Sequence, residues 1–256
     1  MLTFENEKGR ALLLRRITKH VKDQNWFAVL LDFFIVVVGI LIAFQITNWS
    51  EGRSEAKLET YYLERLQSDL SETIDYLSSR QKLSEEILYT IDAFVVELNN
   101  PNARKDELVL ATTTYVIKGT ILLDFKVNRT TFDDLSRTGN LKLLSNNKLT
   151  EALVQLNTNY AGQNEDLLVN TDWVLSLDNE SVSEFDFFQF DELTQHLFPK
   201  KPVEEIAADI RESEDLLRRH AALHFWFADN VKRNYAKMIE QSQSVLDMVE
   251  ADLEKK

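Results

Sequence analysis

The chain has 256 residues, 44% of them apolar, with six glycines, three prolines and no cysteine. So little glycine and proline argues for long helices over turn-rich β folds, the apolar fraction argues for a packed core, and the missing cysteine excludes a disulfide framework and a thiolate metal site. The net charge is −13; the stretch after Trp49 alone carries 23 basic against 38 acidic residues, and so acidic a body excludes a nucleic-acid partner.

Residues 1–25 form a short basic tail, with Lys8, Arg10, Arg15, Arg16, Lys19 and Lys22 set against three acids. From Trp26 to Ile46 the only charge is Asp32. That run makes about 31 Å of helix, the thickness of a hydrocarbon core. Trp26 and Trp49 bracket it, where interfacial aromatic anchors belong. A cleaved signal peptide would end in a small-x-small site, whereas this run ends Phe44-Gln45-Ile46-Thr47-Asn48-Trp49. The segment 26–49 is therefore predicted to be an uncleaved transmembrane helix. Six basic residues precede it and three (Arg53, Lys57, Arg65) follow closely. That bias predicts a cytoplasmic N-terminus and a body on the outer side of the membrane, which is the periplasm, across the inner membrane, if the cell is Gram-negative.

Asp32 has two placements open to it. It can rest at the cytoplasmic interface, with a shorter span beginning at Phe33. Alternatively it lies in the membrane and faces a partner, since an unpaired charge there costs at least ~2.5 kcal/mol. At 100° per residue Ala28, Asp32, Gly39 and Ala43 share one helix face. Gly39 and Ala43 form a small-xxx-small pair that allows close approach of a second helix.

The stretch Val38-Gly39-Ile40-Leu41-Ile42-Ala43-Phe44-Gln45-Ile46-Thr47-Asn48-Trp49-Ser50-Glu51 resembles the anchor of a bacterial family of single-span membrane proteins, in which it reads V-G-I-L-I-A-L-Q-I-N-N-W-N-E. A second similarity runs from Thr131-Phe132-Asp133-Asp134-Leu135 through Thr138-Gly139-Asn140-Leu141 to Leu144, Asn146 and Leu149, with Arg137-Thr138 where the family has paired serines. The family has no assigned activity. The resemblance implies single-span topology and a helical body, and nothing about chemistry.

After the anchor, Leu58, Tyr62, Leu66, Leu70, Ile74, Leu77, Ile87, Ile91, Phe94 and Leu98 keep helical spacing, in a helix continuous with the span or broken near Gly52. Asn99-Asn100-Pro101 ends it. A second helix is predicted over 104–118. Thr131 is placed to cap a short helix over 132–138, with Gly139 in the left-handed position after it. Asn146 is placed to cap a helix over 147–178. The aromatic-rich segment 184–190 reads as a packed loop or helix, with a short strand less well supported for want of a partner. Pro202 is placed to begin a final helix that keeps 3–4 spacing to the end, roughly 75 Å long. A helix of that length needs a long antiparallel partner, for which the spacing offers only 54–98. The predicted fold is all-α: an N-terminal transmembrane helix, then an elongated antiparallel helical bundle over 50–256.

Chemistry is sparse. His220 and His224 stand at i and i+4 on the last helix, the spacing of two metal ligands, but Ala221-Ala222-Leu223 between them lacks the glutamate of a zincin motif. Acidic pairs such as Glu85-Glu86, Asp133-Asp134, Glu204-Glu205 and Glu214-Asp215 read as solvated faces, and Arg211 and Arg218 as intrahelical partners of neighbouring acids. The aromatics Phe225-Trp226-Phe227 and Phe185, Phe187, Phe188 and Phe190 read as core, or as an exposed binding patch. No nucleophile elbow, phosphate loop or dinucleotide fingerprint is present. The expectation is a non-enzymatic, membrane-anchored interaction or scaffold module without cofactor. Its partner is a second copy or another envelope membrane protein. The alternative is a ligand-sensing bundle that signals through a partner; a metal enzyme using carboxylates with His220 and His224 comes third.

Overall fold

The computed structural model describes residues 26–256, with the backbone alone described at Trp26 and Ala28. The basic stretch 1–25, with His20, lies outside the described residues, as do the side chains of Trp26 and Ala28. The chain is helical, and no strand occurs among the described residues. It divides into two compact units, Met1–Lys57 and Leu58–Lys256.

Helix α1 runs over Trp26–Asn99, and Gly52 lies within it. In the first unit its described side chains are largely apolar up to Ile46, and none is buried. An 18-residue window has a mean hydropathy of 2.7, and none of it is buried within the chain. This helix is long and apolar enough to cross a membrane. Thr47 Oγ1 donates back to the Ala43 carbonyl at 3.0 Å, so its hydroxyl needs no water. Trp49 is 68% exposed, with the Arg53 guanidinium 5.8 Å from its ring centre.

In the second unit α1 is amphipathic. Tyr62, Leu63, Leu66, Leu70, Leu77, Ile87, Ile91, Phe94 and Leu98 are buried on one stripe, the 3–4 spacing anticipated above. The other helices are α2 (Lys105–Thr114), α3 (Thr130–Thr138), α4 (Asn147–Glu184), α5 (Val203–Glu212) and α6 (Glu214–Leu253). Their pairing is read from side chains. Asn146, Tyr160 and Asp178 of α4 and its cap bond to Asp252, Ser242 and His224, so α4 and α6 are antiparallel. Glu59, Gln67 and Asn99 bond to Lys256, Glu250 and Arg218, which sets α6 antiparallel to α1 also.

Several local expectations hold and others change. Asn146 caps α4, its side chain accepting from Lys148 N and Leu149 N. Gly139 ends α3 at φ 71°, the left-handed region. Thr131 is not a cap. It lies inside α3, where Asp69 of α1 accepts its backbone N–H at 2.8 Å and its buried hydroxyl has no partner among the described residues. The N–H groups at the start of α3 are met by Asn128, whose Oδ1 accepts from Thr130 N at 3.1 Å, and by the Asp69 carboxylate of another helix. Helix α4 continues past 178 to Glu184, and Phe187–Phe190 forms a 3₁₀ turn, not a strand.

The single final helix expected from the spacing is two helices. Ser213, at φ −97° and ψ 13°, separates α5 from α6. Helix α5 packs on α2 while α6 packs on α4, so one apolar run serves two partners by bending between them. Helix α4 is thus a close partner of α6, beside the α1 segment that the spacing alone proposed.

The extended segment 121–129 is a loop with buried Leu123 and Phe125, and its polar groups are answered by the helices around it. Asn128 N donates to Thr73 Oγ1 at 2.9 Å. The Asp124 carbonyl accepts from Tyr235 at 2.6 Å, and its carboxylate from Tyr76 at 2.6 Å.

Candidate functional site

Helix α6 carries a buried stripe of Leu217, Ala221, Phe227, Ala228 and Val231. His220 and His224 fall one turn apart on that stripe, 5% and 2% exposed. Helix α4 brings Asp178 to them from the turn between buried Val174 and Ser181. Asp178 Oδ1 lies 3.2 Å from His220 Nε2 and 3.0 Å from His224 Nε2. A carboxylate only accepts, so both Nε2–H groups donate to this one oxygen.

The fourth member is Tyr115. Helix α2 gives way at Tyr115 to a π-helical turn, Tyr115–Gly119, a backbone form that is found disproportionately at functional sites. Gly119 is required there by close approach: a Cβ on it would stand 2.5 Å from Tyr115 Cδ2 and 3.3 Å from Ile91 Cγ1. The phenol ring stacks on Phe94 at 4.3 Å between centroids and 3° between planes. Its hydroxyl lies 2.5 Å from His220 Nδ1. Since Nε2 of that ring carries hydrogen toward Asp178, Nδ1 accepts and the Tyr115 hydroxyl donates.

The electrostatics agree with that hydrogen-bond order. Burial pushes the Asp178 carboxyl up, but the hydrogen bonds from His220 and His224 outweigh it and hold the group well below the usual carboxylate range. Burial pushes His220 down, against the partial opposition of its bond to Asp178. Tyr115 is raised well above the ordinary phenol value by burial, then by the Asp178 charge. At neutral pH the cluster therefore holds an ionised Asp178, a neutral His220 and a protonated Tyr115. Beside it opens a cleft of about 470 Å³ whose walls include Ser181, Glu184, Arg219 and His220.

The structure thus brings His220 and His224 together and adds Asp178 and Tyr115, which the sequence does not single out. Asp178 sits at an inner position of the α4 stripe, in register with Val174 and Ser181. An acid in that register is a readable signal, obscured when the helix is taken to end at 178. His196 stands apart from this cluster, exposed in the short turn Gln195–Leu197.

Of the predicted anchor face, Asp32, Gly39 and Ala43 are exposed on α1. The acidic pairs are mostly engaged: Asp133 with Arg129, Asp134 with Arg65, Glu214 and Asp215 with Arg218. Phe185, Phe187, Phe190 and Phe227 are core, whereas Phe188, Phe225 and Trp226 are exposed. Trp226 meets Trp173 edge-on at 5.1 Å, on the surface between α4 and α6.

No model of a protein family, no curated protein and no solved structure matches this chain.

Proposed function

We propose that this protein is a membrane-anchored helical interaction module of the bacterial envelope, with no enzymatic activity of its own. It belongs, on this reading, with the single-span proteins that its anchor and its 131–149 segment resemble. The observation that carries it is the apolar first unit, whose most hydropathic window is wholly uncovered by the rest of the chain. So large an apolar surface is stable in lipid or against another apolar helix, and not in water. The six-to-three basic bias supports an N-terminus in the cytoplasm and a body in the periplasm. The face of Asp32, Gly39 and Ala43 then docks a second copy or another membrane protein: the two small residues admit a close neighbour and Asp32 finds a polar partner there.

The absence of cysteine allows a clean test. Single cysteines at Gly39 and Ala43 are expected to cross-link in native membranes, whereas one at Leu41, about 180° round the helix, is not. A product of twice the chain mass identifies a second copy, and any other discrete mass a different partner. Equal cross-linking from all three positions, or none, would overturn the docking face.

A sensing role through a partner is the second reading. It is favoured by the Asp178–His220–His224 cluster beside an open cleft.

A further inference from the structure

We propose that His220 Nε2, His224 Nε2 and Asp178 Oδ1 bind one first-row divalent metal ion, for which Zn²⁺ is the representative probe. This goes beyond the docking reading and does not depend on it. Two imidazoles and a carboxylate are a donor set that suits such ions. A tetrahedral shell with bonds of about 2.0–2.1 Å sets neighbouring donor atoms roughly 3.3 Å apart. Asp178 Oδ1 already stands 3.2 and 3.0 Å from the two nitrogens, and the three residues can each bring one donor atom within 4.8 Å of the others.

The ligands come from two antiparallel helices, two from one turn of α6 and one from α4. A bound ion would therefore pin the pair together. The surrounding shell is also built. A ligating imidazole ordinarily engages its other nitrogen in a hydrogen bond that sets tautomer and ring angle. Tyr115 occupies that position for His220 at 2.5 Å, and Phe94 holds Tyr115 in place.

Loading requires each Nε2 to offer a lone pair. The proton that each ring carries on Nε2 relocates to its own Nδ1, and in His220 that Nδ1–H then donates to the Tyr115 oxygen; no net proton leaves either ring. Three protein ligands leave one tetrahedral position for water or an outside donor. Of the three ligands, His220 is the one that borders the neighbouring cleft.

The test is titration calorimetry of the detergent-solubilised full chain with Zn²⁺. One equivalent is expected to bind. His20→Ala with His196→Ala removes the two histidines outside the cluster, and binding should stay within about twofold. His220→Gln with His224→Gln should weaken it by more than the ~100-fold that loss of an outer hydrogen-bond partner costs. Because that pair is buried and the variant can unfold, ¹⁵N-histidine spectra of the His20→Ala, His196→Ala protein provide a second measurement. Both remaining rings should move to the Nε2-coordinated class on adding one equivalent. Failure of the unsubstituted chain to bind one equivalent, loss of binding in the His20→Ala, His196→Ala protein, or unchanged ring signals would each overturn the site.

Discussion

Tyr115 and His220, 105 residues apart in the chain, are joined by a hydrogen bond of 2.5 Å between a phenol hydroxyl and an imidazole Nδ1. Both side chains are buried, so neither atom can turn to water when its partner is lost. Tyr115→Phe keeps the ring on Phe94 and leaves Nδ1 without a donor. It should destabilise the second unit by about 1–3 kcal/mol, seen as a lower urea midpoint with unchanged slope. An unchanged midpoint would mean that the bond contributes nothing to stability.

Gly119→Ala is expected to be costly without altering any polar group. The new methyl would meet the Tyr115 ring at 2.5 Å, and that ring is backed by Phe94. Overpacking of this kind costs roughly 1–3 kcal/mol. The near-ultraviolet circular dichroism of the stacked pair should change as well. A stable variant with a native aromatic spectrum would show that the ring has room to move.

Arg211 reaches from α5 to the end of α1, where it donates to the carbonyls of Leu98 at 2.5 Å and Asn100 at 2.6 Å. The sequence suggests an intrahelical ion pair for this residue, and Glu214 does lie 3.6 Å away. The carbonyl contacts are the shorter ones, and they satisfy groups that a helix end leaves unpaired. Arg211→Lys retains the charge but not the planar fork. It should cost about 1.5–3 kcal/mol, whereas Glu214→Gln should cost less than 1. The reverse order in thermal melts would return the ion pair to first place.

Glu59 links α1 to two distant segments. It is 5% exposed; Oε1 accepts from Ser145 N at 2.7 Å and Ser145 Oγ at 2.6 Å, and Oε2 accepts from Lys256. Burial raises its pKa, but the bonds from Lys256 and Ser145 prevail and leave it below the ordinary value of 4.5. A depressed folded pKa means that its contribution is present above about 4.5 and disappears as pH falls through the lower folded value. Glu59→Gln should therefore be less stable than the parent at pH 7, with the gap closing below pH 4.5. A gap constant from pH 7 to pH 3 would assign the loss to hydrogen bonding alone.

Much of the helical plan is legible in the sequence because its causes are local. The stripe from Tyr62 to Leu98, the left-handed Gly139 and the Asn146 cap each depend on residues within a turn or two. Thr131 shows where local reasoning gives out. Threonine is an ordinary capping residue, yet its hydroxyl lies inside the helix, unpartnered among the described residues, and Asp69, 62 residues earlier, takes its backbone N–H. The site divides in the same way. The i and i+4 spacing exposes His220 and His224 as a pair, but the carboxylate between them arrives from 46 residues upstream of His224.

The sequence by itself determined an apolar N-terminal helix, an acidic all-helical body and two histidines on one face, since these follow from composition and a 3.6-residue period. Tertiary structure decided the bend at Ser213, where one apolar run must face α2 and then α4. It also decided that Asp178 and Tyr115 complete the histidine pair. The helical period settles which residues turn inward together; which inward residues meet depends on how separate helices pack.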